Sequence, residues 1–512
     1  MTQRKTRQAG GGQQDGGLTL GIDLGTSSVK VCAVDADGIV VAEVSRSYKI
    51  SSPTDGWREI DPELWWDAAR AALAELLTAS FAAGCAVACI GVTGQMHTLV
   101  PVGANGRAVR PALMWNDGRT VEMLPHVRAR LLEAGATHAA RMVSTGSPAI
   151  NLLWLKEHEP ESFAKLDTFL IGPDWIVFKL TGVRGTDFCE ASTSSLFDVD
   201  AHCWSEGVRV ALGLPAHIYP PVRGSLVVAG VVRGVADSPL AALEGVPVIT
   251  GTGDNPAAAY PTGCLTEGAT VLSLGTSCVL MAERSPADRD RPGKTILFSL
   301  DGEHTVDLVQ GVVQSCGSTR SWLIERLFGT DFAKTDAAID LGRSGAGELL
   351  FFPHMAGEKT LFADPTLRGA LLGLMPETSR ADLDLAVMEG IAYGVRELAD
   401  AMGLLEAADT GIGGPRPIPI RVIGGGSKSD VWMQVLADVL GRPMRRMEGG
   451  GGAGYGAALL ARRAVTGKEP RSAAVCGAVF EPYAAAHTRH ERAYRRYKRL
   501  LAAVRSVYRE DE

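Results

Sequence analysis

Asp254 is the single carboxylate in the stretch Ile249-Thr250-Gly251-Thr252-Gly253-Asp254-Asn255-Pro256-Ala257-Ala258, near the middle of the chain. The apolar run Val246 to Ile249 reads as a buried strand, and the small residues after Asn255 can open a helix. Glycines permit a tight turn and close approach to a ligand. One acid at such a strand end is a candidate general base. An Asp in that place also commonly caps the following helix, and the stretch alone does not separate the two roles.

A second stretch with chemical content is Asp23-Leu24-Gly25-Thr26-Ser27-Ser28, set between two β-rich runs within Leu18 to Val34. It reads as a hairpin whose turn can offer backbone N–H groups and hydroxyls to an anion. Asp23 can hold Mg²⁺ through water, since that ion takes a carboxylate and keeps several waters. A plain hairpin with polar turn residues is the alternative. The same pattern recurs about half the chain later: Leu24-Gly25-Thr26-Ser27-x-Val29 matches Leu274-Gly275-Thr276-Ser277-x-Val279. Two such hairpins, one per half, suggest a duplicated domain with a ligand gripped between the copies.

Two further polar clusters follow strand-like runs in the first half. Ala86 to Val92 ends in Thr93-Gly94-Gln95-Met96-His97, and Ala112 to Trp115 ends in Asn116-Asp117-Gly118-Arg119. Open α/β sheets bind ligands just beyond the carboxyl ends of their strands. Asn, Asp and Arg together suit sugar hydroxyls; a turn with an internal Asp–Arg pair is the plainer reading. In the second half, Pro417 to Ile423 reads as a strand ending in Gly424-Gly425-Gly426-Ser427, with a helix from Asp430. Strand, glycine turn and helix let backbone approach a nucleotide.

These residues need elements to hold them. Asp61-Pro62-Glu63 carries the signals of a helix start, continued by Leu64, Trp65, Ala68, Ala72 and Leu76 on one face. Ser147 to Trp154 leads into another helix, and Phe169 to Leu180 reads as strand then helix, closed at Thr181-Gly182. Thr186 to Phe197 is polar and reads as either a strand pair or a loop. Pro220 to Gly234 resembles a β-meander. Gln310 to Ser318 brings further small residues, and Ser321 to Phe328 is helical. Ala381 to Leu404 is a strong amphipathic helix. Gly449 to Gly456 serves close packing or a flexible joint, and Thr488 to Tyr508 reads as a docked helix with a solvated basic face.

At 512 residues the chain exceeds one ordinary core, so two or more domains are expected. Hydrophobic content of 46% and charged content of 21% fit a globular protein. The net charge of -7 argues against a general nucleic-acid binder. No apolar run reaches the ~18 residues that a membrane span requires. Met1 to Gly17 is Gly/Gln-rich, lacks the apolar segment of a secretory signal, and reads as a disordered leader. The nine scattered cysteines include no C-x-x-C pair and read as structural thiols of a reducing cytoplasm.

Taken together these residues resemble the FGGY carbohydrate kinases of the actin/hexokinase/heat-shock ATPase superfamily, over roughly Leu18 to Gly467. Gly369-x-Leu371-x-Gly373-Leu374, followed by Asp382-Leu383-x-x-Ala386-Val387-Met388-Glu389, is similar to that family's C-terminal signature. The earlier signature is met at Ser147 and Trp154, with Asn151 where a Lys is usual. Within the family, Gln95-Met96-His97, Trp115 to Arg119 and Gly253-Asp254-Asn255 are most similar to xylulokinases. Two departures stand out: Thr98 replaces a common Gly, and Glu358-Lys359-Thr360-Leu361 a frequent Glu-Arg-Thr-Pro.

The resemblance implies an α/β protein of two duplicated actin/hexokinase-like (ribonuclease H-like) domains with an interdomain cleft. The sugar-binding domain would span 18–263 and the nucleotide-binding domain 268–467, with a helical tail over 468–512. It implies transfer of the ATP γ-phosphoryl group to the terminal hydroxyl of a ketopentose, D-xylulose first, with Asp254 as base. Gln95, Met96, His97, Trp115, Asn116, Asp117, Arg119, Asp254 and Asn255 would face the sugar. Gly25, Thr26, Ser27, Gly275, Thr276, Ser277 and Gly317 would serve the nucleotide, Gly424, Gly425 and Gly426 its adenosine, and Asp23 the Mg²⁺. Alternatives within the family are ribulose, L-xylulose, sedoheptulose and erythritol. A chaperone-like ATPase of the same superfamily is the rival from another class, and it has no use for the sugar-facing residues. The implied partners are a sugar and ATP, with no nucleic acid and no membrane; a homodimer is left open. Such chemistry needs positioning and charge neutralisation more than covalent help.

Overall fold

The computed structural model describes residues 17–78, 85–236, 238–405, 418–449, 451–472 and 475–508. The leader expected over 1–17 therefore lies outside the described residues, except for Gly17. The chain divides into two units. The first comprises Met1–Pro261, Phe298–Thr305 and Gly450–Ala473; the second Thr262–Leu297, Val306–Gly449 and Ala474–Glu512.

A six-stranded sheet organises the first unit. Its central strand, Leu18–Leu24, is buried almost throughout, as expected of a near-continuous apolar run. It pairs antiparallel with Ser28–Val34 across the predicted hairpin and parallel with Val87–Gly94. Val87–Gly94 then pairs parallel with Pro247–Ile249, which carries the Asp254 turn at its end. Val40–Ser47 forms one edge and alternates in exposure, as a half-solvated strand should. Helices Pro62–Thr78 and Gly172–Thr181 bury Trp65, Leu73, Trp175 and Leu180 in the core with this sheet. The second of them ends at Gly182 in the left-handed conformation.

Helix Ala453–Thr466 packs into this first unit. The reason is its glycines. A Cβ at Gly21 would lie 1.8 Å from the Gly454 carbonyl oxygen, and one at Gly91 2.1 Å from the Ala457 carbonyl oxygen, so only hydrogen at these strand positions lets helix and strand meet. Within the glycine run, Gly456 is close packing, since a Cβ there would lie 1.8 Å from the Ala257 carbonyl oxygen.

The second unit repeats the scheme. Val271–Leu274 pairs antiparallel with Cys278–Glu283 and parallel with Ile420–Ile423. Ile420–Ile423 pairs parallel with Met444–Glu448. Central hairpin strand, antiparallel partner and two later parallel strands recur in the same order, which is the structural form of the duplication. Helix Arg380–Ala401 starts at a capping box in which Ser379 and Asp382 exchange hydrogen bonds. Helix Ala484–Ser506 docks as expected, burying Tyr494, Tyr497, Leu501 and Val504 in this unit's core.

Two expectations are corrected. Pro220 to Gly234 is not a meander: Val222–Arg223 pairs with Thr186–Asp187, and Val228–Val231 with Pro247–Ile249. The two short strands serve different sheets, a pairing that Pro/Gly/Val composition does not specify. Thr186 to Phe197 is mainly helical, with Phe188–Thr193 capped by Asp187. Cys32, Cys89, Cys189, Cys203, Cys264, Cys278, Cys316 and Cys476 are free thiols. No described helix is long and apolar enough to cross a membrane.

Candidate functional site

In the first unit the hairpin turn is held from behind. Gly25 N–H donates to the Ser28 carbonyl at 3.0 Å, Tyr48 N–H to the Ser27 carbonyl at 3.1 Å, and the Tyr48 hydroxyl to the Gly25 carbonyl. Ser27 is left exposed at the tip. Asp23 sits one strand position before it, opposite Lys30 and Thr93. Burial pushes its carboxyl up to about 6, against the pull of Lys30 and with a smaller push from Glu43.

Three segments meet beyond the carboxyl ends of Val87–Gly94 and Pro247–Ile249. Asn255 Nδ2 donates to Met96 Sδ at 3.6 Å. A Cβ at Gly253 would lie 2.7 Å from Met96 Cγ and 3.0 Å from Cys189 Sγ, so glycine is required for this approach. His97 takes a left-handed backbone (φ 71), and its N–H donates to Glu190 Oε2 at 3.2 Å. The capping alternative for Asp254 is settled: Gly253 is the N-cap, without a side-chain cap bond, and Asp254 is the first helical residue of Asp254–Ala259. Its carboxylate still gains from the helix N-terminus. Gln95 is buried, and neither atom of its amide has a hydrogen-bond partner among the described residues.

The Trp115 to Arg119 turn divides. Trp115 Nε1 donates to Thr26 Oγ1 at 3.2 Å, which brings this ring to the first hairpin turn. Thr98, the departure from the family pattern, accepts from Trp115 N–H at 3.1 Å and so holds the turn. Asn116 is exposed. Asp117 and Arg119 are wholly enclosed and paired with one another at 2.8 Å, with Arg119 also on Glu59 at 2.7 Å. Arg119 stacks over Trp57 at 3.8 Å. The internal pair, the plainer reading of this turn, is what the structure contains, because side chains two residues apart in a tight turn neutralise each other more cheaply than water can once buried.

The second unit carries a cavity of about 660 Å³, of a size that suits a small-molecule ligand. Gly275, Thr276, Gly317, Gly425 and Gly426, all expected nucleotide residues, line it. Gly317 N–H donates to the Gly275 carbonyl at 3.0 Å and Ser318 N–H to the Thr276 carbonyl at 3.2 Å, which locks the second hairpin turn to helix Gly317–Ser321. Gly424 has φ 93 and approaches Leu274 so closely that a Cβ would lie 2.6 Å from its carbonyl oxygen. Ser277 and Gly424 flank the cavity in sequence without lining it. Composition gave no hint of the opposite wall: Arg320, Phe332, Asp336, Lys428, Ser429 and Trp432. The only local trace is spacing, since Phe332 and Asp336 are four apart on helix Phe332–Ala337. Glu358, in the second departure, accepts from the N–H groups of Thr360, Leu361 and Phe362 and ties that loop.

The N-terminal domain model of the FGGY family of carbohydrate kinases matches residues 18–260, and its C-terminal domain model residues 270–465. The chain is 31% identical to a xylulose kinase of Bacillus subtilis over 491 residues, 96% of each chain. It is 30% identical to a glycerol kinase of Gloeobacter violaceus over 446 residues, 86% of each. A solved structure from Brucella ovis, described as a xyloylose kinase, superimposes with a TM-score of 0.83 at 30% identity, covering 96% of this chain and 100% of that one.

Proposed function

The chain belongs to the FGGY family of carbohydrate kinases, and from that premise we propose that it passes the γ-phosphoryl group of ATP to the terminal hydroxyl of D-xylulose, giving D-xylulose 5-phosphate and ADP. The observation that carries this reading is the meeting of Met96, Gly253 and Asn255 at the start of the Asp254 helix. Similarity over nearly the whole chain to a relative named xylulose kinase supports the choice of sugar. The unpartnered Gln95 amide supports a polyhydroxy ligand, whose hydroxyls can satisfy both its donor and its acceptor.

In this reading Asp254 accepts the proton of the attacking hydroxyl as the new O–P bond forms and the bond to the β,γ-bridging oxygen breaks. A general base contributes about 10²–10⁴-fold. The 660 Å³ cavity takes the nucleotide, with hydroxyls and backbone N–H groups of the 275–277 turn toward the phosphates. Gly425 supports this, since it lines the cavity and nothing in the protein lies within 4 Å of where a Cβ would stand, which leaves that backbone open to a ligand. Asp23, a half-buried carboxylate beside the first turn, would hold Mg²⁺ through water. When bound, that ion offsets charge developing on the transferring group.

A pH dependence follows. Only ionised Asp23 serves a cation, and its carboxyl titrates at about 6. Activity at subsaturating Mg²⁺ is expected to fall as pH drops through that value, and added Mg²⁺ should move this limb to lower pH. An acid limb indifferent to Mg²⁺ would remove Asp23 from the role.

The sugar is tested by coupled ADP release across D-xylulose, L-xylulose, ribulose, sedoheptulose, erythritol and glycerol. The highest kcat/KM is expected with D-xylulose. A dominant value for another acceptor would overturn the named sugar and leave the reaction class intact.

A further inference from the structure

We propose that Glu190 is a positioning residue for His97, holding the main chain of that residue in the conformation that presents it to the sugar; this rests on the sugar-binding reading of the 95–97 turn. Glu190 lies on the short helix Phe188–Thr193 and is 2% exposed. It does not cap that helix, because Asp187 does, accepting from Glu190 N–H at 3.0 Å. One carboxyl oxygen, Oε2, accepts from His97 N–H; the other has no hydrogen-bond partner among the described residues.

Packing alone does not call for an acid here. A buried carboxyl is costly unless its polar atoms are used. The use it has is a single one, at a residue whose backbone is unusual. His97 is one of four described non-glycine residues with positive φ, and it directly follows Gln95 and Met96. A left-handed histidine persists only where its surroundings over-determine it. The surroundings are specific: Gln95 N–H is pinned on the Leu24 carbonyl at 2.8 Å, Met96 is held by Asn255, and His97 N–H by Glu190. Each of the three consecutive residues is thus fastened to a different segment of the first unit. Burial, then the neighbouring carboxyls of Asp187 and Asp174, push the Glu190 carboxyl well above its ordinary range. An amide at 190 therefore reproduces the uncharged form that burial favours and keeps an acceptor oxygen.

The test compares the full-length chain with Glu190→Ala, Glu190→Gln, His97→Ala and the Glu190→Ala/His97→Ala double variant, by steady-state kinetics in D-xylulose and ATP. Loss of the acceptor in Glu190→Ala is expected to lower kcat/KM for the sugar about tenfold, mainly through KM, the scale of one hydrogen bond. KM for ATP should stay unchanged. Glu190→Gln should recover most of the loss. In the double variant Glu190→Ala should add less than about twofold to the effect of His97→Ala, as expected when both act through one group. If the alanine variant does not fold, Glu190→Asp carries the test. It keeps the acid but is one methylene too short to reach His97, and the same sugar-specific loss is expected. Multiplicative effects in the double variant, a Gln variant as impaired as Ala, or an equal rise in KM for ATP would overturn the proposal. An unchanged sugar KM and kcat in His97→Ala would overturn the sugar placement itself, and this inference with it; a defect in His97→Ala but none in Glu190→Ala or Glu190→Asp would overturn the positioning role alone.

Discussion

Asp254→Asn is expected to lower kcat by about 10²–10⁴-fold, the range that a positioned general base supplies. The substitution keeps shape and hydrogen-bonding capacity while removing the basic oxygen. It also leaves the N-cap itself unchanged, because Gly253 fills that position. Sugar and ATP affinities, read by calorimetry, should therefore stay close to those of the parent, and so should Tm. That combination separates a base from a residue that merely shapes the turn, which would change binding and stability with turnover. A variant retaining near-normal kcat would remove Asp254 from the chemistry.

The largest expected effect on stability is that of Arg320→Ala. Arg320 donates from Nε to Asp384 at 2.9 Å and from Nη2 to the same carboxylate at 2.7 Å, and it also pairs with Asp336. The Asp384 side chain is fully enclosed and that of Arg320 nearly so. The guanidinium lies 5.6 Å from the Phe332 ring and 5.5 Å from the Trp432 ring, in the wall of the 660 Å³ cavity. Removing one partner of a buried pair strands the other, at about 3–5 kcal/mol. Urea denaturation should show that loss, and KM for ATP should rise as the wall collapses. Replacing both enclosed partners, in Arg320→Met/Asp384→Leu, should recover most of the stability, because the one carboxylate then left without Arg320, Asp336, is partly open to water. A loss below ~1 kcal/mol in the single variant would mean that Asp384 finds water or another donor.

Much of this molecule was legible in its residues because the signals are local. A Gly-Thr-Ser turn between two β-branched runs specifies a hairpin whatever surrounds it, and the repeated motif announced two units with one strand order. The amphipathic pattern over Ala381 to Leu404 announces a helix, observed as Arg380–Ala401. The glycines after Ile423 nominated a ligand approach; Gly425 and Gly426 line the cavity, while Gly424 approaches Leu274 instead.

What the chain order does not carry is which distant residues meet. Glu190 lies 93 residues from His97 along the chain, and nothing in the Phe188–Thr193 segment marks it as the acceptor for that N–H. Helix Ala453–Thr466 meets the first unit's central strand because Gly21 leaves room for the Gly454 carbonyl, a fit visible only when both backbones are placed. Asp117 and Arg119 have the types of sugar ligands, yet burial decides their chemistry, since enclosed charges must neutralise each other. Asp254 shows both halves of this division. Its residue type and the glycine turn before it are local facts that nominate a base. That Gly253 does the capping, and that Met96, Cys189 and Asn255 close around the same turn, are outcomes of packing, where short-range sterics and desolvation act between segments that sequence separation keeps far apart.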